Sequence, residues 1–151
     1  MRRILFTKPD GGVTVVYPVI NTTEISAGFT ETDAEQRAWD SLPVDAINPM
    51  FVDASVIPTD RTFRNAWEHG GDSVTQSITK AKAIAHDKRR EARSAEFAPL
   101  DIKATIPSEA VAAEAARALI RTKYAELQTA IDAATTITAL TNRIVALENK
   151  P

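Results

Sequence analysis

The sequence contains no cysteine, few aromatic residues and no long apolar run. Without cysteine the chain can form neither disulfide bonds nor thiolate metal or catalytic sites. No segment approaches the roughly 20 consecutive apolar residues of a membrane-spanning helix, so we expect no membrane partner. Aromatic residues make up 6% of the chain and apolar residues 44%. We therefore expect a packed core of modest size, whose packing would gain from contact with partners.

Motifs for catalysis or cofactor binding are also missing. There is no Gly-x-Ser-x-Gly, no phosphate-binding P-loop and no Gly-x-Gly-x-x-Gly. His69 and His86 are the only histidines, and two histidines without cysteine do not supply the ligands that zinc normally takes. The acidic pair of Glu31 and Asp33 has no predicted pocket around it, which acid–base catalysis would need. We predict a protein that is not an enzyme and that binds no cofactor and no metal.

The amino-terminal residues predict a β-hairpin. Residues 3–8 and 13–17 are rich in β-forming side chains, and Pro-Asp-Gly-Gly at positions 9–12 separates them. This composition predicts a loop of three to five residues with a bulge and a glycine in the left-handed region. Ile4 and Phe6 alternate with Leu5, so we expect both faces of the hairpin to be partly covered.

The next residues predict a linker, a short helix and a third strand. Residues 18–28 have no clear pattern, and we interpret them as an irregular linker. Thr32 is the expected N-cap of the helix that follows, with Glu35 completing a capping box and Pro43 ending it. Residues 50–57 predict a strand that pairs with the hairpin or lies close to it.

Residues 58–67, Pro-Thr-Asp-Arg-Thr-Phe-Arg-Asn-Ala-Trp, combine several features of a helix start. Pro58 restricts the residue before it to extended angles, and Thr59 or Asp60 can cap the next turn. Phe63 and Trp67 stand four residues apart, which places them on one helical face. We predict a helix over residues 59–68 that anchors the rest of the chain.

Two glycines mark the end of this predicted helix. Gly70 and Gly71 are expected to stop it, with His69 at its carboxyl end, where a cation is favoured. Trp39 and the two aromatic residues of the helix could form a peptide-binding groove. Such residues are more often the core of a small domain, because aromatic side chains dominate burial.

After Gly71 the hydrophobic period changes from about two to about 3.6 residues, which indicates a helical carboxyl half. Residues 73–77 predict a short extended piece. Thr79 is the expected N-cap of a helix that runs to about residue 98 and stops at Pro99. Residues 100–106 predict a linker or brief strand, and Ser108 is expected to cap a long helix over residues 110–134. Thr135 and Thr136 should break that helix and cap a last one.

Two apolar seams run along the last helices. Their residues recur at spacings of three and four, which is typical of a helix that packs on another helix. They predict either an αα-hairpin within the chain or a contact with another protein, and we favour the partner interface. The seam residues are Ile120, Tyr124, Leu127 and Ile131 in the first seam and Ile137, Leu140, Ile144 and Leu147 in the second.

A basic run lies within residues 80–93. One interpretation is a face that follows nucleic-acid phosphates, another is a solvated helix with internal ion pairs, and a third is a contact with an acidic patch on a partner. The formal charge of the whole chain is −2, and the run lacks aromatic residues for base stacking. We therefore favour the solvated helix and do not expect nucleic-acid binding. The basic residues are Lys80, Lys82, Lys88, Arg89, Arg90 and Arg93.

Three stretches of the chain stand out together. They are residues 6–16, Phe-Thr-Lys-Pro-Asp-Gly-Gly-Val-Thr-Val-Val, residues 57–67, Ile-Pro-Thr-Asp-Arg-Thr-Phe-Arg-Asn-Ala-Trp, and residues 130–136, Ala-Ile-Asp-Ala-Ala-Thr-Thr. In this order they resemble one family of small proteins that tailed phages and prophages encode in their tail modules. The resemblance implies a phage-tail context and no catalytic residues. The chain departs from the family after Thr136, where Ile137 and Thr138 replace an expected proline and acidic start.

These observations combine into one expectation. The fold class is α+β, with an amino-terminal hairpin, a third strand and short helices in residues 1–72, and a helical arm or bundle in residues 73–151. The resemblance implies a structural accessory protein of the tail, located in the virion and assembled in the host cytoplasm. Its partners would be fibre or baseplate proteins, and it would form a homo-oligomer or part of a symmetric assembly. The alternatives are a tail-fibre assembly chaperone and a nucleic-acid-binding regulator.

Overall fold

The computed structural model describes residues 1–148 and divides the chain into two compact units after Ser77. The first unit contains five strands and two short helices, and the second contains three helices over the residues described. The predicted α+β class is confirmed. The boundary follows Ser77 rather than Asp72, and the last three residues of the predicted second domain, 149–151, lie outside the described residues.

A three-stranded antiparallel sheet forms the middle of the first unit. Its strands are β1 (Arg3–Thr7), β2 (Val13–Val16) and β3 (Ile47–Val52), in the order β2-β1-β3. The hairpin and its pairing with the third strand are therefore confirmed. β3 ends before the predicted limit because the Asp53 side chain accepts a hydrogen bond from the Ser55 amide at 2.8 Å and begins a 3-10 turn over Ala54–Val56.

The loop of the hairpin has the predicted bulge. The Gly11 amide donates to the Lys8 carbonyl at 2.9 Å, and the Lys8 amide donates to the Gly12 carbonyl at 2.8 Å. Gly11 has φ +81° and no neighbour where a Cβ would stand, so the position needs glycine for its backbone angle rather than for space. Asp10 accepts from the Gly12 amide at 2.8 Å and thereby fixes the turn.

The sheet is covered on both faces, as its alternation predicted. One face packs on a second, two-stranded ribbon of β4 (Trp67–His69) and β5 (Val74–Gln76), through a cluster that includes Leu5, Val15 and Trp67. On the other face Phe51 stacks on Trp39 with the ring centroids 4.9 Å apart. Trp39 belongs to α2 (Glu31–Asp40), which contacts β1.

The caps of the short helices differ from the prediction. Residues 18–28 are not only a linker, because Asn21 caps a helix, α1 (Thr22–Ser26), through a capping box. α2 is capped by Thr30 with Asp33 rather than by Thr32 with Glu35. Glu35 does not serve the cap, because its carboxylate accepts hydrogen bonds from the Arg2 side chain.

The predicted helix over residues 59–68 is wrong. Asp60 accepts a hydrogen bond from the Thr62 amide at 2.8 Å, and such local bonds compete with helix formation. Only a 3-10 turn, Arg64–Ala66, follows before β4 begins at Trp67. Phe63 and Trp67 are nevertheless both 1% exposed, so the segment does anchor the core, although without a shared helical face.

The glycines after this segment form a hairpin turn and not a helix end. Gly70 and Gly71 connect β4 to β5, and Gly71 has φ +82°. His69 therefore lies in a strand, opposite Val74, and not at a helix carboxyl end. The predicted extended piece at residues 73–77 is confirmed as β5.

The second unit consists of α3 (Ile78–Ala104), α4 (Ala110–Ala133) and α5 (Ile137–Glu148). α3 packs along α4 and also contacts α5, while α4 and α5 contact each other less. Ala81 and Ala85 of α3 are fully buried, so the helices approach closely along this face. The large buried side chains come from α4 and α5.

Pro99 does not end α3, which contradicts the prediction. Proline removes one helical hydrogen bond, but contacts with α4 hold the helix on both sides of it. Before Pro99, the Glu96 carboxylate accepts from the Tyr124 hydroxyl at 2.8 Å. After it, Asp101 pairs with Arg117 at 3.2 Å. Residues 100–104 are therefore helix rather than linker or strand.

The other helix ends are partly as predicted. The residue Thr79 lies inside α3 rather than before it, since the helix begins at Ile78. Ser108 does not cap α4, whose N-cap is Glu109 with no side-chain hydrogen bond. The break after α4 is confirmed, because the Thr136 hydroxyl accepts from the Ala139 amide at 3.2 Å and starts α5.

Candidate functional site

The eight seam residues predicted as a partner interface lie on α4 and α5 and face the interior of the second unit to different degrees. Four are buried at 0–1% exposure, and the others are half-buried. For the buried four, a partner could be reached only if the helices separated. Contact with a partner stays a prediction for this set. The buried residues are Tyr124, Ile131, Leu140 and Ile144, and the half-buried ones are Ile120, Leu127, Ile137 and Leu147.

A cationic pocket lies between α3 and α4. Its volume is about 480 Å³, and four arginines, one phenylalanine, one serine and one aspartate line it. Two of the arginines come from α3 and two from α4. On each helix the two arginines are three or four residues apart, so they lie on the same face. We call it the arginine pocket. Its lining residues are Arg90, Arg93, Ser94, Phe97, Asp101, Arg117 and Arg121.

Carboxylates neutralise part of this pocket. Arg117 pairs with Asp101 and with Glu114, each at 3.2 Å, and Arg121 pairs with Glu114 at 2.7 Å. The hydrogen bond from Arg121 holds the pKa of the Glu114 carboxyl below its usual range, and Arg117 adds to the effect. Arg90 pairs with Asp87 on its own helix. Three of the four guanidinium groups thus already bind a carboxylate.

Arg93 is the exception. Its guanidinium lies over the Phe97 ring, 5.0 Å from the centroid, and it has no ion pair or hydrogen bond with any residue in 1–148. Arg117 approaches the same ring at 5.7 Å. The Nε–H of Arg117 is buried and has no acceptor among the described residues. The pocket therefore contains a guanidinium and a buried N–H donor that an oxyanion could satisfy.

Sequence reasoning found only half of the arginine pocket. Arg90 and Arg93 belong to the basic run, whereas Arg117 and Arg121 come from the next helix and were not singled out. Their spacing of four on one helix was the available signal, but which face of α4 meets α3 depends on the packing.

Other members of the basic run hold α3 against α4. Lys82 donates to the Asp132 carbonyl at 2.6 Å, and Arg89 donates to the Tyr124 carbonyl at 3.2 Å. These donors contact backbone oxygens of the neighbouring helix, so they are not a simple solvated face.

A second candidate lies in the first unit, at the outer edge of β2. No strand pairs with this edge among residues 1–148. Hydrogen-bonded pairs alternate along an antiparallel ladder, and the bond from the Lys8 amide to the Gly12 carbonyl sets their phase. Val13 and Val15 then direct their backbone N–H and C=O groups away from β1. β2 contains neither proline nor a charged residue, two features by which edge strands avoid pairing.

The opposite edge of the sheet is different. β3 contains Pro49, which cannot donate a hydrogen bond, and Asn48 stands at φ +49°. Ladder irregularity also appears between β1 and β3, where the register shifts. Proline and irregular backbone are the features by which edge strands avoid adding another strand. Of the two outer strands, only β2 lacks these features.

Polar and aromatic groups lie at the end of β2. Tyr17 is 42% exposed, and its hydroxyl accepts a hydrogen bond from Arg61 at 2.8 Å. Arg3 lies over the same ring, 4.8 Å from its centroid. These residues line a cavity of about 270 Å³ beside the segment that leads from Ile57 to Arg61. A strand added to β2 would pass close to this group.

The histidines fall in separate units. His69 lies in β4, and His86 lies on α3 with its Nε2 2.9 Å from the Asp132 carboxylate. Within residues 1–148 no group of three or more histidine, aspartate or glutamate side chains is arranged to hold a metal ion. A search of the same residues for a helix of sufficient length and hydrophobicity to cross a bilayer finds none.

Comparisons of the chain with protein-family models, with curated proteins and with solved structures find no match of any kind. The likeness to phage tail-module proteins thus stays a prediction made from the three sequence stretches.

Proposed function

We propose that this chain is a non-enzymatic accessory structural protein of a phage tail, which links fibre or baseplate components within a symmetric assembly. The observation that carries the proposal is the outer edge of β2, which pairs with no strand among residues 1–148 and contains neither proline nor a charged residue. The three sequence stretches that resemble tail-module proteins supply the context, and two of them contribute to the first unit.

The edge would act by accepting a strand from a partner. An extended segment laid along β2 would bond the outward amides and carbonyls of Val13 and Val15, so that its main chain supplies affinity. Neighbouring side chains, including the exposed Tyr17, would select the partner's side chains. A partner segment from a second copy of the chain would give a homo-oligomer, and one from a fibre or baseplate protein would give a link.

A tail-fibre assembly chaperone could use the same edge and then leave. Permanent and transient binding differ in one measurable respect, which is the presence of the chain in finished particles. Mass spectrometry of purified particles, with chemical cross-linking, should find the chain in stoichiometric amounts and cross-linked to a tail protein. Absence of the chain from finished particles, with binding to a fibre protein before assembly, would replace the structural role by the chaperone role.

The edge itself is tested with Val13→Pro. Val13 is the first residue of β2 and its N–H points outward, so proline removes an edge donor without removing a bond to β1. We expect incorporation into particles to fall at least roughly tenfold, as loss of a main-chain bond and a steric block would together produce. Val13→Thr keeps the N–H and the β-branched shape, and it should be incorporated normally.

Normal incorporation of a folded Val13→Pro variant would rule out β2 as the contact. Circular dichroism and tryptophan fluorescence establish beforehand that the variant is folded, because both tryptophans lie in the first unit.

A further inference from the structure

We propose that the arginine pocket binds the carboxylates of an acidic segment of a partner protein. The inference goes beyond the proposed function, because it concerns the second unit and a contact made by side chains rather than by a strand edge.

Charge is the first argument. Four guanidinium groups line the pocket and one carboxylate, Asp101, lies among them. Carboxylates outside the lining, Glu114 and Asp87, neutralise part of the remainder. Four positive and three negative groups leave an excess of one positive charge, in a chain whose formal charge is −2. The positive excess is therefore local and does not follow from the composition.

Unsatisfied donors are the second argument. A guanidinium carries five N–H donors in a planar fork that matches a carboxylate. Arg93 uses none of them with any residue in 1–148, and the aromatic ring of Phe97 holds it in place by a cation–π contact. Arg117 also lies over the Phe97 ring, and its buried Nε–H is a second donor that has no acceptor among the described residues. A buried donor costs free energy unless an acceptor is supplied, which an incoming oxygen would do.

The identity of the anion follows from what already fills the pocket. Asp101 and Glu114 show that its guanidinium groups accept carboxylates at 2.7–3.2 Å. A nucleic acid fits less well, because its bases need an open aromatic face and Phe97 is half-buried with two arginines over it. An acidic protein segment is therefore the occupant that the pocket favours.

The test uses a fluorescein-labelled oligoglutamate peptide and an oligothymidylate of equal length, each titrated with the full chain by fluorescence anisotropy. The peptide should bind at low ionic strength and lose affinity as salt is added, since the pairs are partly exposed. Arg93→Glu should weaken peptide binding roughly tenfold or more, because it removes one charge-assisted bond and adds a repulsion. Arg93 has no ion pair within the described residues, so the variant is expected to fold.

Arg143→Glu is the matched control. Arg143 is an exposed residue of α5 that does not line the pocket, so the substitution changes the net charge of the chain equally. Peptide binding should change less than twofold in this variant, as a distant, screened charge contributes little. Equal losses in both variants, or no peptide binding by the unmodified chain, would overturn the proposal. Tighter binding of the oligothymidylate that Arg93→Glu abolishes would also overturn it and would assign the pocket to phosphates.

Discussion

The two units of the chain build their cores on different backbones. In the first, a sheet is covered on both faces, and large residues such as Phe63 and Trp67 are 1% exposed. In the second, large residues of α4 and α5 such as Tyr124 are equally buried, whereas α3 contributes only Ala81 and Ala85 as fully buried residues. Polar contacts add to the attachment of α3 to α4. Truncation of a large buried side chain should therefore cost much stability, whereas the attachment of α3 depends on small side chains and polar contacts along a long interface.

The strongest test of this difference is Trp67→Ala. Trp67 is 1% exposed and belongs to the cluster that joins the sheet to the β4–β5 ribbon. Truncating a buried tryptophan leaves a cavity, and the free energy of unfolding of the first unit should fall by about 3–5 kcal/mol. Denaturant unfolding followed by fluorescence of the remaining Trp39 measures this unit, because no tryptophan lies in the second.

The second unit serves as the internal control for that variant. Far-UV circular dichroism is dominated by α3 and α4, and their transition should stay in place when Trp67 is truncated. A loss below about 1 kcal/mol in the first unit would mean that Trp67 does not anchor the core. Simultaneous loss of both transitions would mean that the two units unfold together.

The sequence predicts an element of the structure most reliably where residues close together in the chain determine its conformation. The hairpin was predicted because Pro9, Asp10 and Gly11 determine a turn with little help from the rest of the chain. The helix at residues 59–68 was mispredicted because side chains that can cap a helix can also form a local turn. Asp60 accepts a hydrogen bond from the Thr62 amide and forms a turn. Phe63 and Trp67 are spaced four residues apart because both are buried, and not because they lie on a helix.

The other features that were not predicted depend on contacts between residues far apart in the sequence. α3 passes Pro99 because Glu96 and Asp101 bind α4 on either side of it, and no local signal shows such contacts. The α4 half of the arginine pocket was missed for the same reason, since Arg93 and Arg117 meet only once two helices pack. That the hairpin would have an unpaired edge, by contrast, could be anticipated from the hairpin alone, although it is β2 that lies at the edge because β3 pairs with β1.

Substitution of Pro99 tests the second unit of this comparison. Proline is about 3 kcal/mol less favourable than alanine inside a helix, and part of this is offset because proline restricts the unfolded chain. Pro99→Ala restores a helical N–H in α3 and should stabilise the second unit by roughly 1–2 kcal/mol. The far-UV circular dichroism transition should shift accordingly, while the tryptophan transition of the first unit should not move.

Pro107→Ala is the control for that gain. Pro107 lies in the turn between α3 and α4, where no helical bond is restored, so no stabilisation is expected. A destabilised Pro99→Ala variant would contradict the interpretation that contacts with α4 hold α3 through an unfavourable residue.

The smallest expected effect concerns a buried charge in the first unit, Glu35, which is 6% exposed. Its carboxylate accepts three hydrogen bonds from Arg2, from the backbone amide at 2.5 Å, from Nη2 at 2.7 Å and from Nε at 3.0 Å. The bonds from the Arg2 side chain hold the pKa of Glu35 below its ordinary value of 4.5. A carboxyl whose pKa is lowered on folding stabilises the fold above its unfolded-state pKa, and this stabilisation is lost as the pH falls.

Glu35→Gln should therefore lower the free energy of unfolding of the first unit by about 1 kcal/mol near neutral pH, a modest value because the Arg2 side chain is 55% exposed. The difference from the unmodified chain should shrink as the pH falls from 4.5 through the lowered pKa, since the carboxyl of the unmodified chain then becomes neutral as well. Glu31→Gln is the control, because the Glu31 side chain is 64% exposed and its loss should change stability by less than about 0.5 kcal/mol. If the Glu35→Gln variant stays less stable than the unmodified chain by the same amount at low pH, the Glu35 side chain contributes to the covered face of the sheet by its shape and not by its charge.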